Sequence, residues 1–140
     1  MSSSTRWKTH SAELAAAVEI AARAGRLLVA RLDDSGAVAF KGVRDIVTEV
    51  DHASEALIRA ELAERFPGDG FYGEESGRGG EVTHRTWVCD PIDGTINYAN
   101  GIPYFCVSVG LVVDGRPAVG AVCDPMRGGV DRLAAALVAE

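Results

Sequence analysis

Several features that would assign a function directly are scarce or absent in this chain of 140 residues. No apolar run is long enough to cross a bilayer, and no apolar signal core follows the polar N-terminus, so we expect a soluble, cytoplasmic protein. Lysine and arginine number 14 against 20 aspartates and glutamates, which gives a net charge of −6. An acidic balance of this kind argues against binding to nucleic acid or to an anionic membrane.

Cysteine and histidine are also rare. The three cysteines, Cys89, Cys106 and Cys123, each lie in an apolar run, form no C-x-x-C motif and have no histidine beside them in the sequence. This pattern predicts reduced, buried and unreactive thiols. The three histidines lack the spacing of metal ligands, and we interpret them as surface residues.

The patterns that are present predict one folded domain. Hydrophobic residues make up 47% of the chain, enough for a core. Apolar spacing predicts helices over residues 11–32 and from near 50 to 65, and strands over 37–41, 85–89, 104–113 and 118–123. The pair Asp114-Gly115 predicts a hairpin between the last two strands. We therefore expect an α/β (α+β) layered fold, with two helices on a mostly antiparallel sheet.

The two ends of the chain look different from this domain. Residues 1–10 are polar, and we expect them to be a disordered N-terminus. Residues 11–127 carry the predicted helices and strands. The Ala/Leu-rich stretch within 128–140 has neither a cap nor a strand pattern, and it is interpreted as an atypical tail that forms a short helix.

Residues 87–95, with the sequence WVCDPIDGT, are the most informative segment. An apolar strand is predicted to end at Asp90, because Pro91 has no N–H group and interrupts a ladder of hydrogen bonds. The end of the strand would free the carbonyl group of Ile92, and Asp93 adds a second carboxylate. Oxygen ligands of this kind are those that Mg²⁺ prefers.

The two residues that follow suit a phosphate group. Gly94 has no Cβ, so a phosphate oxygen can approach its backbone N–H group closely. Thr95 is predicted to cap a short helix that begins at Ile96, whose free N–H groups would face an anion. A turn that merely ends a strand is the alternative for an isolated Asp-Gly pair, but the complete string favours a site.

Two acidic segments lie upstream. Glu74 and Glu75, taken alone, are most simply part of a solvated loop, yet a strand that ends at Asp90 would let Glu74 share the metal ions. Asp51 stands at a predicted helix start, where capping is the commonest role of an acidic residue. The functional alternative is that Asp51 orients Thr95, so that the Thr95 hydroxyl group and Glu74 together activate water.

Taken together, residues 45–51, 73–76 and 87–95 resemble the inositol monophosphatase family, and residues 97–109 and 118–125 continue the likeness. The resemblance runs from the first helix to about residue 127. It implies the N-terminal part of a layered sandwich that hydrolyses inositol 1-phosphate, a small phosphorylated substrate, with Mg²⁺ as cofactor and with sensitivity to lithium. It also implies that full-length relatives are homodimers.

The resemblance implies a role for each residue of the site. Glu74, Asp90 and the carbonyl group of Ile92 would hold one Mg²⁺ ion, and Asp90 and Asp93 would hold a second. Metal ions in such sites activate water, clamp the phosphate and stabilise the leaving oxygen. The catalytic residues would be Thr95, Asp51 and Glu74, and the substrate would be bound by Glu74, Ile92, Asp93, Gly94 and Thr95.

Two departures from the family pattern leave alternatives open. Ile96 stands where a second threonine is common, and we expect little effect from it. Family members are much longer, and their second half supplies a further aspartate to the second metal ion and most contacts to the sugar ring. The chain is therefore interpreted as a C-terminally truncated member, with an inactive or weakly metal-binding fragment as one alternative. Another is the same chemistry on histidinol phosphate, a nucleotide 3′-phosphate or fructose bisphosphate.

Overall fold

The computed structural model describes residues 10–33, 43–79, 83–127 and 133–137. The predicted strand over 37–41 and most of the predicted disordered N-terminus lie outside these ranges. None of the helices in the described ranges is both long enough and apolar enough to cross a membrane.

The described residues form three helices and six strands. The helices are α1 (Ser11–Asp33), α2 (Val43–Arg65) and α3 (Thr95–Ala99). The strands are β1 (Gly70–Gly73), β2 (Gly77–Gly79), β3 (Arg85–Asp93), β4 (Cys106–Val113), β5 (Arg116–Cys123) and β6 (Leu133–Leu137).

All six strands belong to one sheet with the order β2-β1-β3-β4-β5-β6. The pair β1 and β3 is parallel, and the other neighbours are antiparallel. Helix α1 packs on β4 and β5, while α2 packs on β3 and against α1. The structure thus confirms the predicted layered fold, in which two long helices lie on a mostly antiparallel sheet.

The core lies between these helices and the sheet. Ile20 and Leu28 of α1, Ile58 of α2, and Trp87 and Leu111 of the sheet are fully buried. Side chains alternate between the two faces of a strand, so Val88 of β3 is directed away from the helices and remains partly exposed. The Phe66 and Trp87 rings pack at a centroid distance of 5.3 Å where α2 ends.

Helix α2 begins at Val43, earlier than the predicted start near residue 50. The segment 43–50 is rich in β-branched residues, which have low helix propensity and obscured the helical pattern. The correction matters for Asp51, which lies inside the helix and is buried. Capping at a helix start is therefore the wrong interpretation of this residue.

Strand β3 does not stop at Asp90 but continues through Pro91 to Asp93. Asp90 pairs with Ser108, whereas Asp93 pairs with Cys106, so two residues of β3 lie opposite the single residue between them on β4. A β-bulge of this kind accommodates a proline, because the ladder is interrupted there. The predicted strand break is therefore wrong, but the irregular backbone was placed correctly.

The predicted hairpin between β4 and β5 is confirmed. Asp114 and Gly115 have φ values of 52° and 77°, the left-handed pair that the tightest hairpin turns need. A second hairpin, β1–β2, carries the Glu74-Glu75 pair at its tip.

The predicted helix in the tail is also wrong. Leu133–Leu137 forms β6, which pairs antiparallel with β5, from Leu133 opposite Cys123 to Leu137 opposite Val119. A sheet edge presents unpaired N–H and C=O groups, and pairing with them outweighs the helix propensity of an Ala/Leu-rich segment. The remaining residues of the tail lie outside the described ranges.

Candidate functional site

The acidic segments meet because β1 and β3 are parallel neighbours. Gly73, the last residue of β1, pairs with Cys89, so the residues that follow each of them, Glu74 and Asp90, emerge side by side at the same edge of the sheet. The structure therefore brings together two of the predicted metal ligands from different segments of the chain. Glu74 itself is exposed.

Asp90 has the most perturbed environment of the predicted ligands. Burial, a hydrogen bond shared with Glu74 and the charges of Glu74 and Asp93 raise the pKa of Asp90 to about 7. Its Oδ1 atom is buried and has no hydrogen-bond partner in the part of the chain that the structure describes. Unpartnered buried oxygens are rare in native proteins, and acidic groups in such a crowded position favour a cation as a partner.

Helix α2 brings Asp51 to the same site. Burial and the charges of Glu75 and Glu74 raise the pKa of Asp51 to about 7. One turn further along the helix, the Ser54 hydroxyl group donates a 3.1 Å hydrogen bond to the carbonyl oxygen of Pro91. This contact fixes α2 against the bulge of β3 and so places Asp51 beside the acidic residues of the sheet.

Gly94 forms the junction between β3 and α3. Its φ value is 95°, and it is the N-cap of α3, which receives no capping hydrogen bond from a side chain in the described part of the chain. Thr95 is the first residue of the helix, so the prediction that Thr95 is the cap is wrong. An added Cβ on Gly94 would lie 2.8 Å from the carbonyl oxygen of Tyr104, which explains why glycine is needed at this position.

The core anchors α3 and with it the position of Thr95. The Tyr98 hydroxyl group donates a 2.8 Å hydrogen bond to the carbonyl oxygen of Leu28 in α1, and the Tyr98 ring packs edge-on against Phe105 with a centroid distance of 4.9 Å. Asp93, just before the junction, is exposed and lies 3.7 Å from the Cys106 sulfur. The sequence WVCDPIDGT therefore runs from the core to an accessible acidic edge.

Cys89 and Cys123 are buried as predicted, whereas Cys106 is only partly buried, so the prediction of a buried thiol is wrong for Cys106. All three cysteines are free, and desolvation is the main cause that raises the pKa to about 12 for Cys89 and about 11 for Cys106 and Cys123. From the sequence, the rings of Trp87, Tyr104 and Phe105 are most simply expected in the core. Trp87 and Phe105 are buried there, whereas Tyr104 is 60% exposed. The prediction that Tyr104 belongs to the core is wrong, and the Arg127 guanidinium group instead lies 3.8 Å from the centre of its ring.

Sequence reasoning missed one residue next to the site. Glu55 is buried, and its carboxylate accepts hydrogen bonds of 2.9 Å from the backbone N–H groups of Glu75 and Ser76. A signal for it exists in the sequence, because Ser54 and Glu55 lie one helical turn before Ile58 on the apolar stripe of α2. Polar residues on a stripe that faces the core indicate a specific partner.

The carboxylates at this edge are ligands of the kind that binds a divalent metal ion, but their arrangement in the structure is not that of a metal site. Within residues 10–33, 43–79, 83–127 and 133–137, no group of three or more His, Cys, Asp or Glu side chains is arranged to hold a metal ion. The side chains that do approach one another are carboxylates, the ligands that suit Mg²⁺. The unpartnered Asp90 oxygen is the observation that supports a cation at this edge.

Comparison with known proteins identifies the class. The model of the inositol monophosphatase family matches residues 10–138, and the chain belongs to this family. The match extends beyond residue 127, where the resemblance was expected to end, and it includes β6.

Individual relatives agree with this assignment. The chain is 41% identical over 115 residues to inositol monophosphatase 2 of Solanum lycopersicum, an alignment that covers 79% of this chain and 43% of the relative. The extragenic suppressor protein suhB of Bartonella henselae is similar in structure, with a TM-score of 0.78 and 34% identity over 91% of this chain and 48% of that one. The structure of SaIMPase-II with inositol monophosphate bound has a TM-score of 0.69 and 32% identity, over 92% and 45% of the two chains. This chain therefore spans less than half the length of these relatives.

Proposed function

We propose that the acidic edge formed by Glu74, Asp90 and Asp93 belongs to a magnesium-dependent phosphomonoesterase that converts inositol 1-phosphate to inositol and phosphate. The observation that carries the proposal is the meeting of Glu74 with Asp90, whose Oδ1 atom is buried and has no hydrogen-bond partner among the described residues. The inositol monophosphate bound by a structurally similar protein supports this choice of substrate.

Each residue of the site would have a distinct role. Glu74, Asp90 and the carbonyl group of Ile92 would hold one Mg²⁺ ion, and Asp90 with Asp93 would hold a second. Bound Mg²⁺ supplies positive charge that activates water and stabilises the charge that develops on the phosphate. The backbone of Gly94 and Thr95, together with Glu74, Ile92 and Asp93, would face the substrate.

The proton transfer would involve Asp51, Thr95 and Glu74. Asp51 is buried, and burial together with nearby negative charges raises its pKa to about 7, so this group can exchange a proton near neutral pH. We assign it the orientation of the Thr95 hydroxyl group, which with Glu74 would position and deprotonate the attacking water. Lithium inhibition, which the family resemblance implies, and the cytoplasmic location expected from the sequence belong to the same proposal.

A second candidate is a fragment that binds metal weakly and does not turn over. It is favoured by the share of the relatives that the chain spans, 43% for the tomato protein, and by the lack of a three-ligand cluster among the described residues. Under this alternative Asp90 and Asp93 would still bind a cation, but phosphate would not be released.

Phosphate release from inositol 1-phosphate, measured with and without Mg²⁺, separates these candidates. We expect magnesium-dependent turnover that Asp93→Asn abolishes and that Asp114→Asn, an exposed aspartate in the β4–β5 turn, leaves unchanged. The comparison substrates are histidinol phosphate, a nucleotide 3′-phosphate and fructose bisphosphate. A higher kcat/KM on one of them would change the proposed substrate but not the proposed phosphomonoester hydrolysis. Equal turnover by wild type and Asp93→Asn would refute the proposed site.

A further inference from the structure

The loop that carries Glu74 is held by a buried carboxylate from α2. Glu55 is 4% exposed, and its two oxygens accept hydrogen bonds from two consecutive backbone N–H groups, Oε1 from Glu75 and Oε2 from Ser76, each at 2.9 Å. A carboxylate that accepts two N–H groups at once fixes the orientation of the backbone as well as its position. The residue directly before this pair is Glu74.

The strand before the loop is shaped to let this carboxylate approach. A Cβ added to Gly73 would lie 2.2 Å from Oε1 of Glu55 and 2.5 Å from its carboxyl carbon. Both are shorter than any normal contact between such atoms, so a side chain at Gly73 would displace either the carboxylate or the loop. Close packing of this kind leaves the loop little freedom to shift relative to α2.

Arg59, one helical turn after Glu55, holds the other side of the loop. Its guanidinium group donates a 2.8 Å hydrogen bond to the Ser76 hydroxyl group, and it lies 4.7 Å from the centre of the Phe71 ring of β1. An added Cβ at Gly79 of β2 would lie 2.6 Å from the same guanidinium group. Two charged residues of α2 thus bind the tip and both strands of the β1–β2 hairpin.

We propose that Glu55 is a positioning residue, which fixes the Glu74–Ser76 loop so that the Glu74 carboxylate faces Asp90 across the metal site. The inference rests on the proposed function, because it concerns the same site. Glu55 would act through the backbone and would not itself bind the metal ion. Groups that orient metal ligands in this way typically contribute about 10–100-fold to metal affinity.

The test combines two measurements on the full chain that do not depend on turnover. Hydrogen exchange in the wild type should show that the amides of Glu75 and Ser76 are protected, although both residues are exposed. Mn²⁺ binding, followed by electron paramagnetic resonance of the free ion, should weaken about 10–100-fold in Glu55→Gln. Glutamine keeps the volume, but its NH₂ group would face one of the two N–H donors. Glu64→Gln, at an exposed position of the same helix, should bind Mn²⁺ as the wild type does.

Gly73→Ala is the second variant, because it keeps the Glu55 carboxylate but crowds its approach to the loop. It should weaken Mn²⁺ binding in the same direction as Glu55→Gln. Two results would overturn the inference but leave the proposed function standing. One is exchange of the wild-type amides at 75 and 76 as fast as in an unstructured peptide, and the other is a folded Glu55→Gln protein with wild-type Mn²⁺ affinity. A wild type that binds no Mn²⁺ would overturn the proposed function and the inference together.

Discussion

Gly94 at the junction of β3 and α3 gives a sharp test of how the site is built. Its φ value of 95° lies in the left-handed region, where a residue with a side chain costs about 1–2 kcal/mol. In addition, an added Cβ would lie 2.8 Å from the backbone oxygen of Tyr104, and overpacking against atoms that cannot move away costs about 1–3 kcal/mol. We therefore expect Gly94→Ala to lower the free energy of unfolding by about 2–5 kcal/mol.

Gly115 provides the matched control for this substitution. Its φ value of 77° lies in the same region, but no atom of the residues that the structure describes lies within 4 Å of an added Cβ. Gly115→Ala should therefore lose only the conformational contribution, about 1–2 kcal/mol. Urea denaturation of both variants measures the difference. If both variants lose the same free energy of unfolding, the close approach of Tyr104 to the junction is refuted. The reason given for glycine at position 94 would then also fail.

Three further predictions follow from contacts around the site. Asp69→Ala should lower the free energy of unfolding by about 2–4 kcal/mol in urea titration, because Asp69 accepts hydrogen bonds from the Arg85 guanidinium group and from the buried Trp87 indole N–H group; a loss below 1 kcal/mol would contradict the pairing. Burial raises the pKa of Asp51 from 3.8 to about 7, so between these pH values the folded state binds a proton that the unfolded state has lost. The free energy of unfolding of the metal-free protein should therefore fall by up to about 4 kcal/mol as the pH rises from about 4 through 7. Asp51→Asn should make that pH profile less steep, with the remaining slope due to Asp90, whose pKa is also raised to about 7, and an unchanged profile would refute the assignment. Because burial raises the pKa of the Cys89 thiol to about 12, a thiol reagent at pH 7 should modify this residue only on unfolding, as mass spectrometry of the labelled peptide would show.

The acidic residues of β3 could be proposed as metal ligands from sequence because Asp90 and Asp93 are close together in the chain. Within residues 87–95, an apolar run, a proline and two acids follow one another, and each has a local physical meaning. The Asp114-Gly115 turn was predictable for the same reason, since left-handed backbone at two consecutive residues requires a particular residue pair.

The elements that were predicted wrongly depend on distant contacts. Strand β3 continues past Pro91 because β4 supplies a partner on the far side of the bulge, and β6 forms because β5 offers a free edge. Neither partner can be read from the local pattern. Both corrections are cases in which tertiary pairing outweighs local propensity.

The burial of Asp51 and Glu55 could be recognised only once the position of α2 was known. In the sequence, an acidic residue near a predicted helix start looks like a cap, and only the helix start at Val43 shows that both residues lie on the buried face. Two buried acids on one helix have to be explained by what they face, and here they face the loop and the bulge that carry the predicted metal ligands.

A calorimetric titration of Mg²⁺ into the purified chain at pH 8 tests whether the acidic residues bind a metal ion, because at that pH Asp90, with a pKa of about 7, is mostly ionised. We expect saturable binding to the wild type that is lost in Asp90→Asn and retained in Asp114→Asn. Identical titrations for the wild type and Asp90→Asn would contradict a metal site at the edge formed by Glu74, Asp90 and Asp93.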